Sequence, residues 1–256
     1  MSFKKGRILS QDGSSSYIMS ISDLMSGLVF IFIIILVYFV IHYKSVNKSL
    51  ASRDATRTRI LHTIKEKIEE KELDKNLAIV IDAKNGVIHI RDKADQMFFR
   101  SGKAVPEENG VIVIGGLSDL LKEIVPCYTT SHEKYCILSP HPKKEDRKLE
   151  TIFIEGHTDS IPIYNQKFKS NWELSVARAI ATYNILVNKN EILKNITNES
   201  GRRIFSVSGY GDTRPISESN NGKDCQQDRR IDLRFIMTPH DNEEIKKIME
   251  KPLSAK

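Results

Sequence analysis

The apolar and polar positions divide the chain into one membrane-length apolar run and a longer region of mixed pattern. Residues 17–43 read "YIMSISDLMSGLVFIFIIILVYFVIHY", and from Leu24 to Ile41 they contain neither a charge nor a proline. About 18 such residues at about 1.5 Å each nearly cross a hydrocarbon core of about 30 Å. We therefore predict a transmembrane helix over residues 17–43. A cleaved signal peptide fits less well, because its apolar core is shorter and ends in a small-residue cleavage site.

The segment after this run has a helical pattern of a different kind. Residues 44–73 contain neither glycine nor proline, and Ile60, Leu61, Ile64 and Ile68 recur at helical spacing. We predict a helical linker over residues 44–76 that continues the membrane helix. Its narrow apolar stripe would suit a partner helix, for example from a second copy of the chain. Residues 1–16 and 241–256 are expected to be tails, the first of them flexible.

Strand and helix patterns alternate from Leu77 onward. "LAIVID-AKNG-VIHIRD" predicts a hairpin, since Asn85-Gly86 is a strong turn signal. Helices are predicted at 116–125, where Ser118 is a plausible cap, and at 171–187, with an apolar face that includes Ile180. A strand that runs into a loop is predicted at 151–159, and further strands are predicted around "IFSVSGYGD" and at 229–237. The predicted fold class is α+β: a mixed β-sheet domain over residues 77–240 with helices on one face.

Charge and cysteine content exclude some functions. The net charge is +6, but acidic and basic residues are interspersed, as in "KEKIEEKELDK", so we expect a solvated helix face and no nucleic-acid binding. The three cysteines are Cys127, Cys136 and Cys225, and no CxxC pair occurs, so no metal or other cofactor is expected. Cys127 and Cys136 bracket a polar loop and are disulfide candidates in an oxidising compartment; three unpaired thiols are the alternative.

Four blocks in the C-terminal half resemble a known family. "IFIEGHTDS", "NWELSVARA", "VSGYGDTRP" and "DRRIDL" follow one another in the order of the signature blocks of the OmpA-like peptidoglycan-binding domain. The loop "SIPIYNQKFKS" and the segment "MFFRSGKA" are similar to the MotB family of stator subunits. The resemblance implies a domain that binds the peptidoglycan stem peptide. No nucleophile–base–orienter set is evident, so we expect no enzyme, and His157 is expected to be a loop residue.

The residue chemistry is consistent with such a ligand. A diamino acid in a stem peptide carries an ammonium and a carboxylate, which require an acid and a base at opposed ends of a pocket. Asp159 and Arg178 match the family positions that hold this ligand, and an arginine fork grips a carboxylate through two hydrogen bonds. The further candidates are Thr158 and Asn171 at the pocket mouth, Leu174 one turn before Arg178, and Arg230. The alternative is a plain surface ion pair between Asp159 and Arg178, which would contribute about 0–1 kcal/mol.

Asp23 is the one acid within the apolar run. It could be a helix cap, because Ser20, Ser22 and Asp23 are all cap formers. If the helix begins near Tyr17, however, Asp23 lies about 9 Å inside it, where an ionisable group is a functional candidate. "SDLMSGLVFIFIIIL" resembles the start of MotB-type helices, in which an aspartate carries the translocated ion. It also resembles the ZorB subunits of the Zorya anti-phage system, which have the same layout of tail, single helix and OmpA-like domain. The resemblance to ZorB is preferred, because MotB-type helices usually carry a tryptophan near the aspartate and none occurs here.

These observations lead to a primary hypothesis and several alternatives. The primary one is an ion-conducting, ZorB-like stator subunit: a homodimer that binds peptidoglycan, a polytopic MotA/ZorA-like membrane partner and protons, with Na⁺ left open. The alternatives are a flagellar MotB-type stator, a structural wall tether without ion conduction, and a receptor that senses wall damage. The wall ligand favours a single-pass protein of the bacterial inner membrane with a cytoplasmic N-terminus and a periplasmic C-terminal domain. The positive-inside rule does not decide the orientation. Three basic residues lie on each side of the helix: Lys4, Lys5 and Arg7 before it, and Lys44, Lys48 and Arg53 after it.

Overall fold

The chain divides into two compact units, with a boundary between Leu50 and Ala51. A computed structural model describes residues 12–93, 96–130, 132–216 and 225–238. The expected tail over 241–256 and residues 1–11 of the expected N-terminal tail lie outside the described residues.

Helix α1 (Asp12–Glu70) includes the membrane-length run. Its segment Met19–Lys44, 26 residues with a mean hydropathy of 3.0, is long and apolar enough to cross a membrane. The large apolar side chains of this segment are exposed, as expected for a surface that faces lipid; Leu28, for example, is 66% exposed. The prediction of one helix through the membrane run and most of the linker is confirmed. Residues 12–16, expected to belong to the flexible tail, are helical instead.

The apolar stripe of the predicted linker belongs to the core of the second unit. Ile60, Leu61 and Ile64 are fully buried and Ile68 is 3% exposed, in one cluster with residues from the sheet and from the later helices. The interpretation of this stripe as a surface for a partner helix is therefore wrong. The compact unit begins at Ala51, whereas the sequence placed the start of the domain at residue 77.

Five strands form one mixed sheet in the order β1-β2-β5-β3-β4. The strands are β1 (Ala78–Asp82), β2 (Val87–Arg91), β3 (Leu149–Gly156), β4 (Phe205–Gly209) and β5 (Arg230–Met237). Strands β3 and β4 are parallel, and the other neighbours are antiparallel. The hairpin β1–β2 is as predicted, and its turn ends on Gly86 at φ 74°, a conformation that favours glycine.

Two long helices pack on one face of this sheet, α2 (Glu108–Ile124) and α3 (Asn171–Lys189), and a short α4 (Ile192–Asn195) follows. Helix α2 begins eight residues before the predicted start, so Ser118 is not a cap. Its buried hydroxyl instead donates to the carbonyl of Leu186 on α3 at 2.7 Å. Helix α3 begins as predicted, and the Ser170 hydroxyl accepts from the Glu173 N–H at its N-terminus. The α+β class with helices on one face of a mixed sheet is confirmed.

The disulfide between Cys127 and Cys136 is present. It closes the segment directly after α2, where a short 3₁₀ helix (Val125–Tyr128) is buried against the core. Cys225 lies outside this disulfide. The alternative of three unpaired thiols is therefore wrong for this structure.

Candidate functional site

The predicted ligand residues converge where β3 ends against the start of α3. Gly156 closes β3, and a Cβ atom there would lie 1.9 Å from the carbonyl oxygen of Ser175. Only glycine permits this approach of strand and helix. The close contact brings the segment His157–Asp159 beside the first turns of α3. The Asn171 side chain donates to the Asp159 carbonyl at 3.4 Å, which ties the two elements together.

Asp159 is buried and forms an ion pair that the sequence did not reveal. Arg229 Nη1 donates to Asp159 Oδ2 at 3.0 Å, and Arg229 Nη2 donates to Asp92 Oδ2 at 3.3 Å. Asp92 also accepts the Phe98 N–H at 2.6 Å. Burial raises the pKa of Asp92, while the Phe98 N–H and Arg229 oppose that effect. One buried guanidinium therefore links two buried carboxylates, and it holds Asp159 at the end of β3.

Arg178 is fully buried on the sheet-facing side of α3. Its Nε donates to the Lys103 carbonyl at 3.0 Å, Nη1 to the His157 carbonyl at 3.1 Å and Nη2 to the Arg100 carbonyl at 3.4 Å. The guanidinium also lies over the Phe99 ring, 4.7 Å from its centre. Burial lowers the pKa of Arg178 to about 10, while the charge of Asp159 opposes that shift, so Arg178 stays protonated at neutral pH.

The simpler alternative for these two residues is wrong. A surface ion pair between Asp159 and Arg178 would leave both side chains exposed, but Asp159 is 6% and Arg178 0% exposed. The carboxylate of Asp159 pairs with Arg229, and the donors of Arg178 go to backbone carbonyls. The two opposite charges still lie close enough for the charge of Asp159 to raise the pKa of Arg178.

Thr158 and Asn171 each add a buried polar atom to this site. Within the described part of the chain, Thr158 Oγ1 and Asn171 Oδ1 have no hydrogen-bond partner, although both atoms are buried. Such atoms are rare in folded proteins and each requires an explanation, of which a polar ligand is one. Leu174 is 3% exposed on the same side of α3 and supplies an apolar contact rather than a polar one.

Arg230 is placed elsewhere. It begins β5, its Nε lies 3.1 and 3.2 Å from the two carboxylate oxygens of Asp232, and its Nη2 donates to the Arg214 carbonyl. Its side chain therefore belongs to the sheet face opposite the helices, whereas the preceding Arg229 reaches Asp159. The antiparallel pairing of β3 with β5 explains why Arg229, and not Arg230, reaches Asp159. This pairing places the residue before β5 next to the end of β3.

His157 lies in the loop directly after β3, as predicted, and it is buried against that opposite face. Its Nε2 lies 3.1 Å from Asp232 Oδ2, and its ring stacks on Tyr210. Burial raises the pKa of Asp232, but His157, His89 and Arg230 outweigh burial, so that pKa lies below its ordinary value.

The atoms of Glu155, His157 and Asp232 are close enough to hold a metal ion. Arg234, however, donates to both oxygens of Glu155 at 2.9 Å, and Asp232 is already paired with Arg230 and with the His89 ring. A further cation would have to displace these partners. The cluster is therefore a buried ion-pair network rather than a metal site.

Asp23 is exposed within α1. Helix α1 begins at Asp12, so Asp23 lies three turns inside the helix, and the interpretation of Asp23 as a helix cap is wrong. One turn later, Ser26 turns its hydroxyl back to the Ser22 carbonyl at 2.8 Å. The carboxylate therefore projects from the side of the helix, beside small polar residues.

Comparisons with known proteins find a family match and several relatives. Residues 139–229 match the model of the OmpA family. Motility protein B of Bacillus subtilis (strain 168) is 27% identical over 169 residues, which are 66% of this chain and 52% of that protein. The chain thus matches about half the length of that relative.

Two further relatives match over a shorter segment or at lower sequence identity. The uncharacterised protein YtxE of Bacillus subtilis (strain 168) is 33% identical over 82 residues, which are 32% of this chain and 31% of that protein. The crystal structure of the periplasmic domain of Helicobacter pylori MotB is 18% identical, with a TM-score of 0.43 and coverage of 70% of this chain and 91% of that one. The chain is therefore similar to motility protein B and contains a segment, residues 139–229, that matches the OmpA family.

Proposed function

We propose that this chain is a membrane-anchored subunit that binds the peptidoglycan stem peptide between Asp159 and Arg178. The observation that carries the proposal is the convergence of these two opposite charges with two unpartnered polar atoms, Thr158 Oγ1 and Asn171 Oδ1. An ammonium would bind Asp159, and a carboxylate would bind the guanidinium of Arg178. The match of residues 139–229 to the OmpA family supports this ligand. The proposed role is one of binding, without catalysis.

The test compares two aspartates of the same region in the full chain, solubilised in mild detergent. Asp159→Asn removes the charge but keeps the shape, and Asp92 still pairs with Arg229. Losing a charge-assisted contact costs roughly 1.5–3 kcal/mol, which is a decrease in affinity of roughly 10- to 150-fold. The matched control is Asp212→Asn, at an exposed position in the turn after β4.

Co-sedimentation with purified sacculi measures the binding. We expect the Asp159→Asn variant to be found in the supernatant and the Asp212→Asn variant to sediment with the sacculi. Retention of Asp159→Asn at the original affinity would refute the proposed ligand site. Arg178→Ala is a weaker test, because it also removes three hydrogen bonds to the backbone of neighbouring loops.

The proposal extends to the membrane segment. Two copies of α1 would stand within a polytopic MotA/ZorA-like partner in the inner membrane, with the N-terminus in the cytoplasm and the wall-binding unit in the periplasm. Asp23 would bind and release a proton, or Na⁺, at a position that the helix exposes to such a partner. The wall-binding unit would hold the subunit still while the partner moves. The resemblance of the segment around Asp23 to stator helices supports this part.

The process served has two candidates, and a purely structural role is a third possibility. The absence of a tryptophan near Asp23 in the sequence favours a ZorB-like subunit of a Zorya anti-phage system over a flagellar stator. Phage protection and swimming motility separate these two. A wall tether without ion conduction shares the same ligand site, and only the role of Asp23 distinguishes it.

A further inference from the structure

A cleft of about 580 Å³ lies beside Arg178. Arg100 and Lys103, which line it, contact the site described above only through their backbone carbonyls, and the side chains that line the cleft were not used there. One wall is the turn of residues 100–107, between β2 and α2. The other is residues 165–168 of the loop that precedes α3. The side chains that matter below are Arg100, Lys103, Val105, Glu107, Lys167 and Phe168.

Both walls of the cleft are held by specific contacts. Arg178 holds the carbonyls of Arg100 and Lys103 from beneath, at 3.4 and 3.0 Å. The opposite wall is a turn in which the Asn165 carboxamide oxygen accepts two backbone N–H groups, each at 2.8 Å. The two loops also approach each other closely, because a Cβ atom on Gly102 would lie 3.1 Å from the side chain of Ile163. The cleft is therefore a built feature of these two loops.

The cleft carries an excess of positive charge. Arg100 pairs with Glu107 at 2.9 Å, so these two charges offset each other. Within the described part of the chain, the ammonium groups of Lys103 and Lys167 have no hydrogen-bonding or ionic partner. They line opposite walls, and together they give the cleft a net charge of +2. Two unpaired cations around one concave site attract an anion.

The remaining lining is apolar. Phe168 and Pro106 line the cleft, and Val105 is 70% exposed at its rim. Tyr164 is 80% exposed in the same loop. A small hydrated ion would leave these apolar surfaces in water, whereas an anionic group on a longer chain would cover them. The lining therefore fits a carboxylate that is carried by a peptide.

We propose that this cleft is a second subsite for the wall ligand, in which Lys103 and Lys167 hold a further carboxylate of the stem peptide. The inference rests on the proposed function, because it extends the same ligand beyond the diamino acid at Asp159. The two subsites share Arg178, which borders the first and fixes the wall of the second. A ligand that spans both would make charge-assisted contacts at each end.

The experiment uses the full chain in detergent and a soluble disaccharide peptide as the probe. The peptide is prepared in two forms, one with free side-branch carboxylates and one with these carboxylates amidated. In the double variant Lys103→Gln, Lys167→Gln, affinity for the free-carboxylate form should fall about 5- to 10-fold, as expected for two exposed charge contacts. Affinity for the amidated form should not change. Lys103→Arg, Lys167→Arg keeps both charges and should retain binding.

A matched control has the same change in net charge. Lys169 lies in the same loop, but its ammonium donates to the Asn165 carbonyl and lies over the Tyr164 ring. Lys122 is exposed on α2, away from the cleft residues. The variant Lys169→Gln, Lys122→Gln should bind both peptide forms as the original chain does.

Each other outcome overturns a different statement. Equal weakening in the control variant, or for the amidated peptide, would show that bulk charge rather than the cleft is responsible. Unchanged binding in Lys103→Gln, Lys167→Gln would refute the subsite alone, provided that Asp159→Asn still abolishes binding. If Asp159→Asn binds normally, the proposed function itself fails. Displacement of the peptide by millimolar inorganic phosphate would assign the cleft to a phosphate-bearing polymer and refute the stem peptide as its ligand.

Discussion

The end of α1 should be an integral part of the second compact unit, and Ile64→Ala tests this directly. Ile64 is fully buried among the side chains of the core cluster. Replacing a fully buried isoleucine by alanine costs about 2–5 kcal/mol. For a slope of about 2 kcal/mol per molar urea, the unfolding midpoint should fall by about 1–2.5 M. Thr58→Ala, at an exposed position on the same helix, should change stability by no more than about 0.5 kcal/mol.

The assay is urea unfolding of the fragment 51–239, followed by circular dichroism at two protein concentrations. An unchanged midpoint for Ile64→Ala would show that Ile64 is not packed in the core. A midpoint that depends on protein concentration would show that the stripe binds a second copy, and either result would refute the reasoning.

Truncation gives a larger effect. A fragment that begins at residue 77 loses four apolar side chains from the core, each worth about 1.5–3 kcal/mol on burial. The total of about 6–12 kcal/mol is comparable to the whole stability of a typical domain, so this fragment should not fold.

Three other predictions concern separate parts of the chain. Asp23→Asn should reach the membrane at normal levels but lose function, because an amide cannot release a proton. Asp23→Glu should keep some function, since glutamate titrates in the same range. Normal phage protection or motility in Asp23→Asn would leave only the hypothesis of a structural tether without ion conduction. Reduction of the Cys127–Cys136 disulfide in the denatured chain should release two thiols in addition to those already reactive. Removal of the disulfide should lower the free energy of unfolding by about 2–3 kcal/mol in the chain-entropy model. An equal thiol count before and after reduction would contradict the disulfide. The lowered pKa of Asp232 contributes stability that is present above about pH 4 and is lost as pH falls further. Asp232→Asn should therefore be less stable at pH 7 and lose less stability on acidification, as measured by thermal unfolding from pH 7 to pH 2.

Local sequence signals predicted the elements, because each of them depends on neighbours in the chain. The turn at Gly86 and the start of α3 after Ser170 follow from residues within four positions. The partner of a buried face does not follow from such signals. The spacing around Ile64 shows that one side of α1 is apolar, but not whether it packs on its own domain or on another chain.

The site was predicted only in part, for the same reason. The sequence predicted that Ile180 lies on the apolar, core-facing side of α3. In the structure Ile180 is 43% exposed, whereas Arg178 is fully buried. Burial of a guanidinium depends on carbonyls from distant loops, including that of Lys103, which is 75 positions away in the sequence. Asp92 and Arg229 were missed because they are 137 positions apart and meet only through the pairing of the strands.

The hydrogen bonds already made by Asp159 and Arg178 determine which sites remain for a zwitterionic ligand. A carboxylate offers about four lone-pair sites and an arginine five donors. Asp159 uses Oδ2 for Arg229, and among the described residues its Oδ1 accepts only the Ile161 N–H, at 3.3 Å. Arg178 uses three donors on carbonyls, which leaves two. An ammonium and a carboxylate can therefore be added to the pair without displacing Arg229.

Access is the remaining requirement, because Arg178 has no exposed surface. The groups that cover it include the carbonyls of Arg100 and Lys103, which belong to the turn of residues 100–107. Under the proposed function, a ligand carboxylate reaches Arg178 only if this turn shifts. The same turn carries Lys103 and forms one wall of the cationic cleft. A carboxylate bound between Lys103 and Lys167 would therefore act on the segment that controls entry to Arg178, and occupation of one subsite should change the affinity of the other.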